Sequence, residues 1–261
     1  MMHTWTNVTW PDDPYRTGQQ LYRRPAPRLA AFTTLPTRLS GGQPTPVTAA
    51  IVYLPLHRTK TVTVAGQTLA LGFRASTASD MSEMPDVAAL ADLDLMQARR
   101  HAAILAGYRL DLDLAALRQC DGLTVRRGLA AVTGDWTRRG PAASRATLLD
   151  CGLDLPARPP LRQACLAAGL SPLRAHAARQ ADWHPAALAV ERALTIALLA
   201  ARHQGRYDWS GTLDTGAIIT AATWDCLPWP PEATPAGRTA SGSVAAAGTG
   251  TAMPAALPRR A

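Results

Sequence analysis

Gly107 to Gln119 reads GYRLDLDLAALRQ. The alternation in Tyr108 to Leu112 predicts a strand, and Asp113, a residue type suited to helix N-caps, opens a short helix over Asp113 to Gln119. Upstream, Val87, Leu90, Leu93, Ile104 and Leu105 fall at roughly helical spacing, which predicts a helix over Asp86 to Ala106 with Asp86 as its cap and Gly107 as its stop. Downstream, ATLLD (Ala146 to Asp150) reads as a second strand ending in a carboxylate. Leu161 to Ala168 is a helix that stops at Gly169. Pro185 to His203 is a long helix with proline in its first turn, and Ala217 to Trp224 is a short one.

Ahead of these elements lie three further strands. RLAAFTT (Arg28 to Thr34) and VTAAIVYLPL (Val47 to Leu56) are apolar runs, and a third strand falls within Lys60 to Phe73. GGQPTP, Gly41 to Pro46, reads as a loop. A meander feeding into βαβ units predicts an α/β fold with one mixed sheet and helices on its faces. The flanks differ in character. Residues 1–27 mix Trp, Pro, Asp and Arg without a period and read as an irregular arm. Residues 230–261 are a low-complexity run of Ala, Gly, Thr and Pro, too poor in bulky apolar groups to offset ordering entropy, and are expected to be disordered. The folded domain is thus expected over 28–229.

The chain has 261 residues, 47% hydrophobic and 18% charged, which excludes a wholly disordered polyampholyte and leaves enough length for a sizeable core. No apolar run reaches the roughly 20 residues needed to span a bilayer, and the first residues lack the apolar stretch of a secretory signal. A soluble cytoplasmic protein with no membrane partner is expected. Net charge is +8, and all but one of the 27 basic residues are arginine, Lys60 being the exception. Arginine forks suit phosphate, but the excess of Ala, Arg, Gly and Pro also fits a GC-rich coding bias. Cys120, Cys151, Cys165 and Cys226 stand apart, with no CxxC pair and no histidine at zinc spacing. They read as small buried residues in a reducing compartment.

The order of three strands, helix, strand, helix, strand, helices resembles the ribonuclease-H-like order. LAGYRLDLDLAAL (Leu105 to Leu117) resembles the second motif of the DnaQ-like, or DEDD, 3′–5′ exonucleases, approximately L-x-G-H-N-x-x-F-D-x-x-x-L. Gly107, Asp113 and Leu117 fall on its positions, Leu112 replaces its Phe, and Tyr108 and Arg109 stand where His and Asn are usual. ATLLDCGLDLP resembles the family strand that ends in Asp-Thr-Leu, and Leu161 to Leu170 the helix before the third motif. Glu191 to Arg202 resembles the third motif, with Glu191 for its Asp. The resemblance runs from about Arg28 to Arg202.

It implies two-metal phosphodiester hydrolysis, with Mg²⁺ or Mn²⁺ ions about 4 Å apart held by converging carboxylates and a histidine or tyrosine orienting the attacking water. Asp113 and Glu191 are the implied metal ligands. Asp111, two residues before Asp113, would share its face on an extended strand, and Asp150 closes a central strand. His184 is the nearest candidate base, although it precedes Glu191 by seven residues where the family uses five, and it also reads as a helix-entry residue. Tyr108, Arg109 and the Arg138 and Arg139 pair are candidate nucleic-acid contacts, the arginine pair reading equally well as a solvated loop.

The first motif, Asp-x-Glu in the family, aligns with Thr33 and Leu35, so two carboxylates are replaced by a hydroxyl and an alkyl group. The expectation is an exonuclease-fold protein with weak or no hydrolysis that associates with single-stranded or frayed nucleic acid or with a protein partner. The alternatives are an active enzyme with relocated carboxylates, Asp80, Glu83 and Asp86 being nearest, and a non-catalytic scaffold. The aromatic end (Tyr207, Trp209, Trp224, Trp229) could stack bases or pack beneath the sheet.

Overall fold

The computed structural model describes residues 2–8, 28–37, 45–66, 68–120, 124–138, 146–155, 158–171, 184–223 and 227. The expected tail, Arg139, Cys226, Trp224 and Trp229 lie outside the described residues.

Eight strands and six α-helices are formed by the described residues: β1 His3–Thr6, β2 Arg28–Thr37, β3 Thr45–Pro55, β4 Val62–Thr63, β5 Gly72–Thr77, α1 Met84–His101, β6 Ile104–Gly107, α2 Leu110–Cys120, α3 Arg127–Arg138, β7 Thr147–Asp150, α4 Leu161–Ala167, α5 Pro185–His203, β8 Tyr207–Asp208 and α6 Thr215–Thr223. Six strands make one mixed sheet in the order β1-β5-β3-β2-β6-β7. The pairs β1/β5, β5/β3 and β3/β2 are antiparallel, whereas β2/β6 and β6/β7 are parallel. The expected meander feeding into parallel units is therefore present, and the fold is α/β.

Strand alternation divides the core into two layers. Leu29 and Ala31 of β2 face α4, α5 and α6, and Ala30 and Phe32 face α1, α2 and α3. Helix α5 is apolar almost all round because it is buried against β2, β3, β5 and β6. Helix α1 instead carries buried polar groups with partners: Asp94 Oδ1 accepts from Arg74 Nη1 at 3.0 Å, and Asp92 Oδ1 accepts from Leu129 N at 2.7 Å, capping α3 from a neighbouring helix. Burial pushes the Asp94 carboxyl up to about 7 against the opposing pull of Arg74. Arg99 of α1 also meets buried Asp135 of α3 at 2.6 Å.

Several sequence expectations are corrected. The strand is not Tyr108 to Leu112 but Ile104–Gly107, and the preceding helix ends at His101. Leu110, Leu114 and Leu117 are buried at helical spacing, while Leu112 is 53% exposed, so the apparent alternation belongs to the start of α2. The third meander strand is β5, because β4 leaves the main sheet to pair with β8 in a small parallel ribbon. Residues 1–27 are not wholly irregular: β1 sits on the β5 edge, held beyond the strand by Phe73 N donating to Asn7 Oδ1 at 2.7 Å. Arg138 lies not in a loop but at the last turn of α3, an element the sequence reading left out, and its Nε folds back to Gly134 O at 3.0 Å. Thr45 and Pro46, read as loop, begin β3.

Among the described residues no helix is long and apolar enough to cross a membrane. Cys151 and Cys165 are buried, and desolvation raises both thiols, Cys165 to about 12, which keeps them protonated.

Candidate functional site

The parallel strands end in register at one edge of the sheet. Ala31 pairs with Ala106 and Gly107 with Asp150, so β2 runs on past β6 and projects Thr33 and Thr34 beyond its end. The chain leaves β6 at Gly107, turns through Tyr108 and Arg109, and enters α2, whose first turn carries Asp113 back over that overhang. This is the carboxyl end of parallel strands, where open α/β sheets form crevices.

Asp113 is the centre of the site. Its Oδ2 accepts from Thr33 Oγ1 at 3.2 Å and from Thr34 N at 3.1 Å, and its Oδ1 accepts from Thr34 Oγ1 at 2.9 Å. Thr33 Oγ1 in turn accepts from Arg192 Nε of α5 at 3.0 Å. Burial raises the Asp113 carboxyl above its ordinary range, outweighing the Arg192 charge and the Thr34 and Thr33 hydrogen bonds, which pull it down. Thr33, the residue aligned with the first-motif aspartate, therefore does lie against Asp113, but as a donor to it.

Asp150 holds the neighbouring turn. Its Oδ1 accepts from Arg109 N and Gly152 N, both at 2.9 Å, while its own amide donates to Asp154 Oδ2 at 2.7 Å. Arg109 has a φ of 53°, a left-handed conformation that costs a non-glycine residue about 1–2 kcal/mol, and the Asp150 bond stabilises it there. Arg109 is exposed, with its Cγ beside Gly152. Tyr108 donates its hydroxyl to Pro159 O at 2.6 Å, and burial raises its pKa.

The remaining candidates fall elsewhere or are engaged differently. Asp111 is exposed on α2, and two residues apart on a helix point away from each other, so it does not share a face with Asp113. Glu191 is buried beside Arg192, and its Oε1 accepts from Thr215 Oγ1 of α6 at 3.0 Å. His184 caps α5: its Nδ1 accepts from Ala186 N at 3.2 Å, and its ring meets Trp5 of β1 edge-on at 4.6 Å. A nitrogen spent on capping is not a general base. Asp80 accepts from Ser82 N at 2.8 Å, and Glu83 accepts from Ser79 N at 2.8 Å, so both serve the turn before α1. Of the aromatic end, Tyr207 and Trp209 are core residues; Trp209 donates to Ala168 O at 2.9 Å beneath the Arg202 guanidinium.

These residues do not fit a Mg²⁺ or Mn²⁺ pair. Hard cations need several converging oxygen anions, whereas the carboxylate here receives three donors and lies near a guanidinium. Among the described residues no group of three or more His, Cys, Asp or Glu side chains is gathered as a metal would require. Thr34 and Arg192 were missed by sequence reading. Arg192 had one signal, a guanidinium set in an otherwise apolar helix and adjacent to Glu191.

Comparison with protein-family models, with curated proteins and with solved structures finds no match to this chain.

Proposed function

We propose that the chain is an exonuclease-like protein of the ribonuclease-H-like type whose crevice takes a single-stranded or frayed nucleic-acid end without efficient hydrolysis. The strand order β5-β3-β2-β6-β7, with β2 central and β6 and β7 parallel to it, supports the kinship. The observation that carries the reading is the contact of Thr33 and Thr34 with Asp113. It sets hydroxyls and the Arg192 guanidinium where hydrolysis by two metals would need further carboxylates. Arg192 and the exposed Arg109 then supply positive charge for phosphate oxygens.

A labelled single strand, DNA or RNA, titrated with the full-length chain tests this. Binding is expected to weaken steeply with salt, to survive Asp113→Asn, and to fall about tenfold in Arg109→Gln, with the strand left intact in Mg²⁺ or Mn²⁺. Metal-dependent shortening of the strand, lost in Asp113→Asn, would show an active exonuclease instead. Absence of binding even at low salt would leave the scaffold reading.

A further inference from the structure

A second basin lies at the other end of the parallel strands, where β6 and β7 begin. A cavity of about 430 Å³ opens there, lined by Leu56, His57, Arg58, Ile104, Gln204 and Arg206, and among the described residues no carboxylate lines it. A second cavity of about 360 Å³ shares Leu56 and His57 with the first and is walled by Val62, Val64, Leu69 and Tyr207. Each is of a size that suits a small ligand.

The polar end is built. His57 Nδ1 accepts the amides of Thr59 at 3.2 Å and Lys60 at 3.0 Å. That fixes the ring's hydrogen on Nε2, which is left as a donor. The His57 turn is stapled to the end of α5: Thr61 Oγ1 donates to Gly205 O at 2.8 Å, Val62 N to Arg206 O at 2.8 Å, and Arg206 Nη1 to Arg58 O at 3.4 Å. Helix α5 ends here, and a helix C-terminus by itself repels anions. Its last carbonyls are already satisfied, however, Ala200 O by Gln204 N, Ala201 O by Arg206 N and Arg202 O by Gly205 N, so the Arg206 guanidinium is not needed to cap them. The nearest carboxylate on the ribbon, Asp208, pairs with Arg202 at 3.4 Å. Two guanidinium groups, an imidazole N–H and an amide thus line one cavity, and apolar walls line the next.

We infer that this double cavity binds a small phosphomonoester with an apolar body, the phosphate between Arg58 and Arg206 and the body against Leu69 and Tyr207. The inference is independent of the nucleic-acid reading, because none of these residues belongs to the Asp113 crevice. The test is calorimetric titration of the full chain with phenyl phosphate, inorganic phosphate and phenol at matched ionic strength. Saturable binding is expected in the order phenyl phosphate, phosphate, phenol. Arg206→Gln and Arg58→Gln should each weaken phenyl phosphate about tenfold, as expected for loss of one charge-assisted contact. Leu69→Ala should narrow the gap between phenyl phosphate and phosphate. Arg58 is exposed, and among the described residues its side chain makes no hydrogen bond, so its variant answers for any misfolding of the Arg206 one. Equal response to sodium chloride, unchanged affinity in both arginine variants, or phosphate binding as tightly as phenyl phosphate would overturn it. So would displacement of phenyl phosphate by an unphosphorylated single strand, which would make the basin part of a nucleic-acid surface.

Discussion

Asp113 receives three hydrogen bonds from two consecutive β2 residues, so truncating it strands two threonine hydroxyls and one amide at once. Asp113→Ala is expected to cost about 2–4 kcal/mol in urea unfolding. Asp113→Asn should cost less, since a threonine hydroxyl can reverse from donor to acceptor. The pH dependence has a definite sign. Burial raises the folded-state pKa of Asp113 above its unfolded value. The fold then binds that proton more tightly than the unfolded chain does, and this part of the stability is present below the unfolded value near 4 and lost as pH rises through the folded one. The advantage of the native chain over Asp113→Asn should therefore shrink as pH rises above about 4. A constant difference would mean that the carboxyl is not held above its ordinary range.

At the scale of elements, α3 shows how close two helices of the second layer come. A Cβ on Gly128 would lie 2.2 Å from Asp92 O and 2.9 Å from Asp92 Oδ1, so the glycine is there to let α1 approach and cap α3. Gly134, two turns on, would meet only the Arg138 Nη2 tip, at 3.0 Å. Gly128→Ala is expected to destabilise by about 2–3 kcal/mol, as overpacking against backbone does. Gly134→Ala should stabilise by roughly 0.5–1 kcal/mol, because that tip can move aside and alanine is the better helix former. Paired thermal unfolding curves check both signs. The same glycines explain why α3 was invisible in sequence: with Thr133 and Thr137 they break a helical reading, and the cap comes from another helix. Helix α5 was legible end to end because Pro185 opens it and apolar residues run through it to Ala201, interrupted only at Glu191, Arg192 and Thr195. The α1/β6 boundary was not, because no Gly or Pro separates His101 from Ile104 and the apolar spacing runs through. Gly107 read as a helix stop; its actual reason is Leu110, whose Cβ would lie 2.6 Å from a Cβ there. Of the candidate site, Asp113 was named through the motif resemblance, whereas Thr34 and Arg192 become its neighbours only when β2, α2 and α5 converge.

At the scale of the whole molecule, the first strand and the long helix α5 meet through a ring contact. Strand β1 closes the β5 edge, and its Trp5 packs on His184 at the start of α5. Burial, and to a smaller degree the His3 charge, lowers the pKa of His184. The chemistry agrees, since Nδ1 accepts the Ala186 amide and an imidazolium could not. A histidine with a lowered folded-state pKa contributes stability that is present above its unfolded value near 6.5 and is lost as pH falls from there towards the folded value. Trp5→Ala uncovers the ring while leaving the β1 backbone its partners. It should lower stability by roughly 1–3 kcal/mol at about pH 8, raise the His184 pKa towards its ordinary value, and reduce the further loss on acidification to about pH 5. An NMR titration of the His184 ring beside urea unfolding at both pH values measures all three. An unshifted ring titration in Trp5→Ala would mean that β1 does not shield the start of α5, and the first strand would then be an edge cover rather than a tie between the sheet and its central helix.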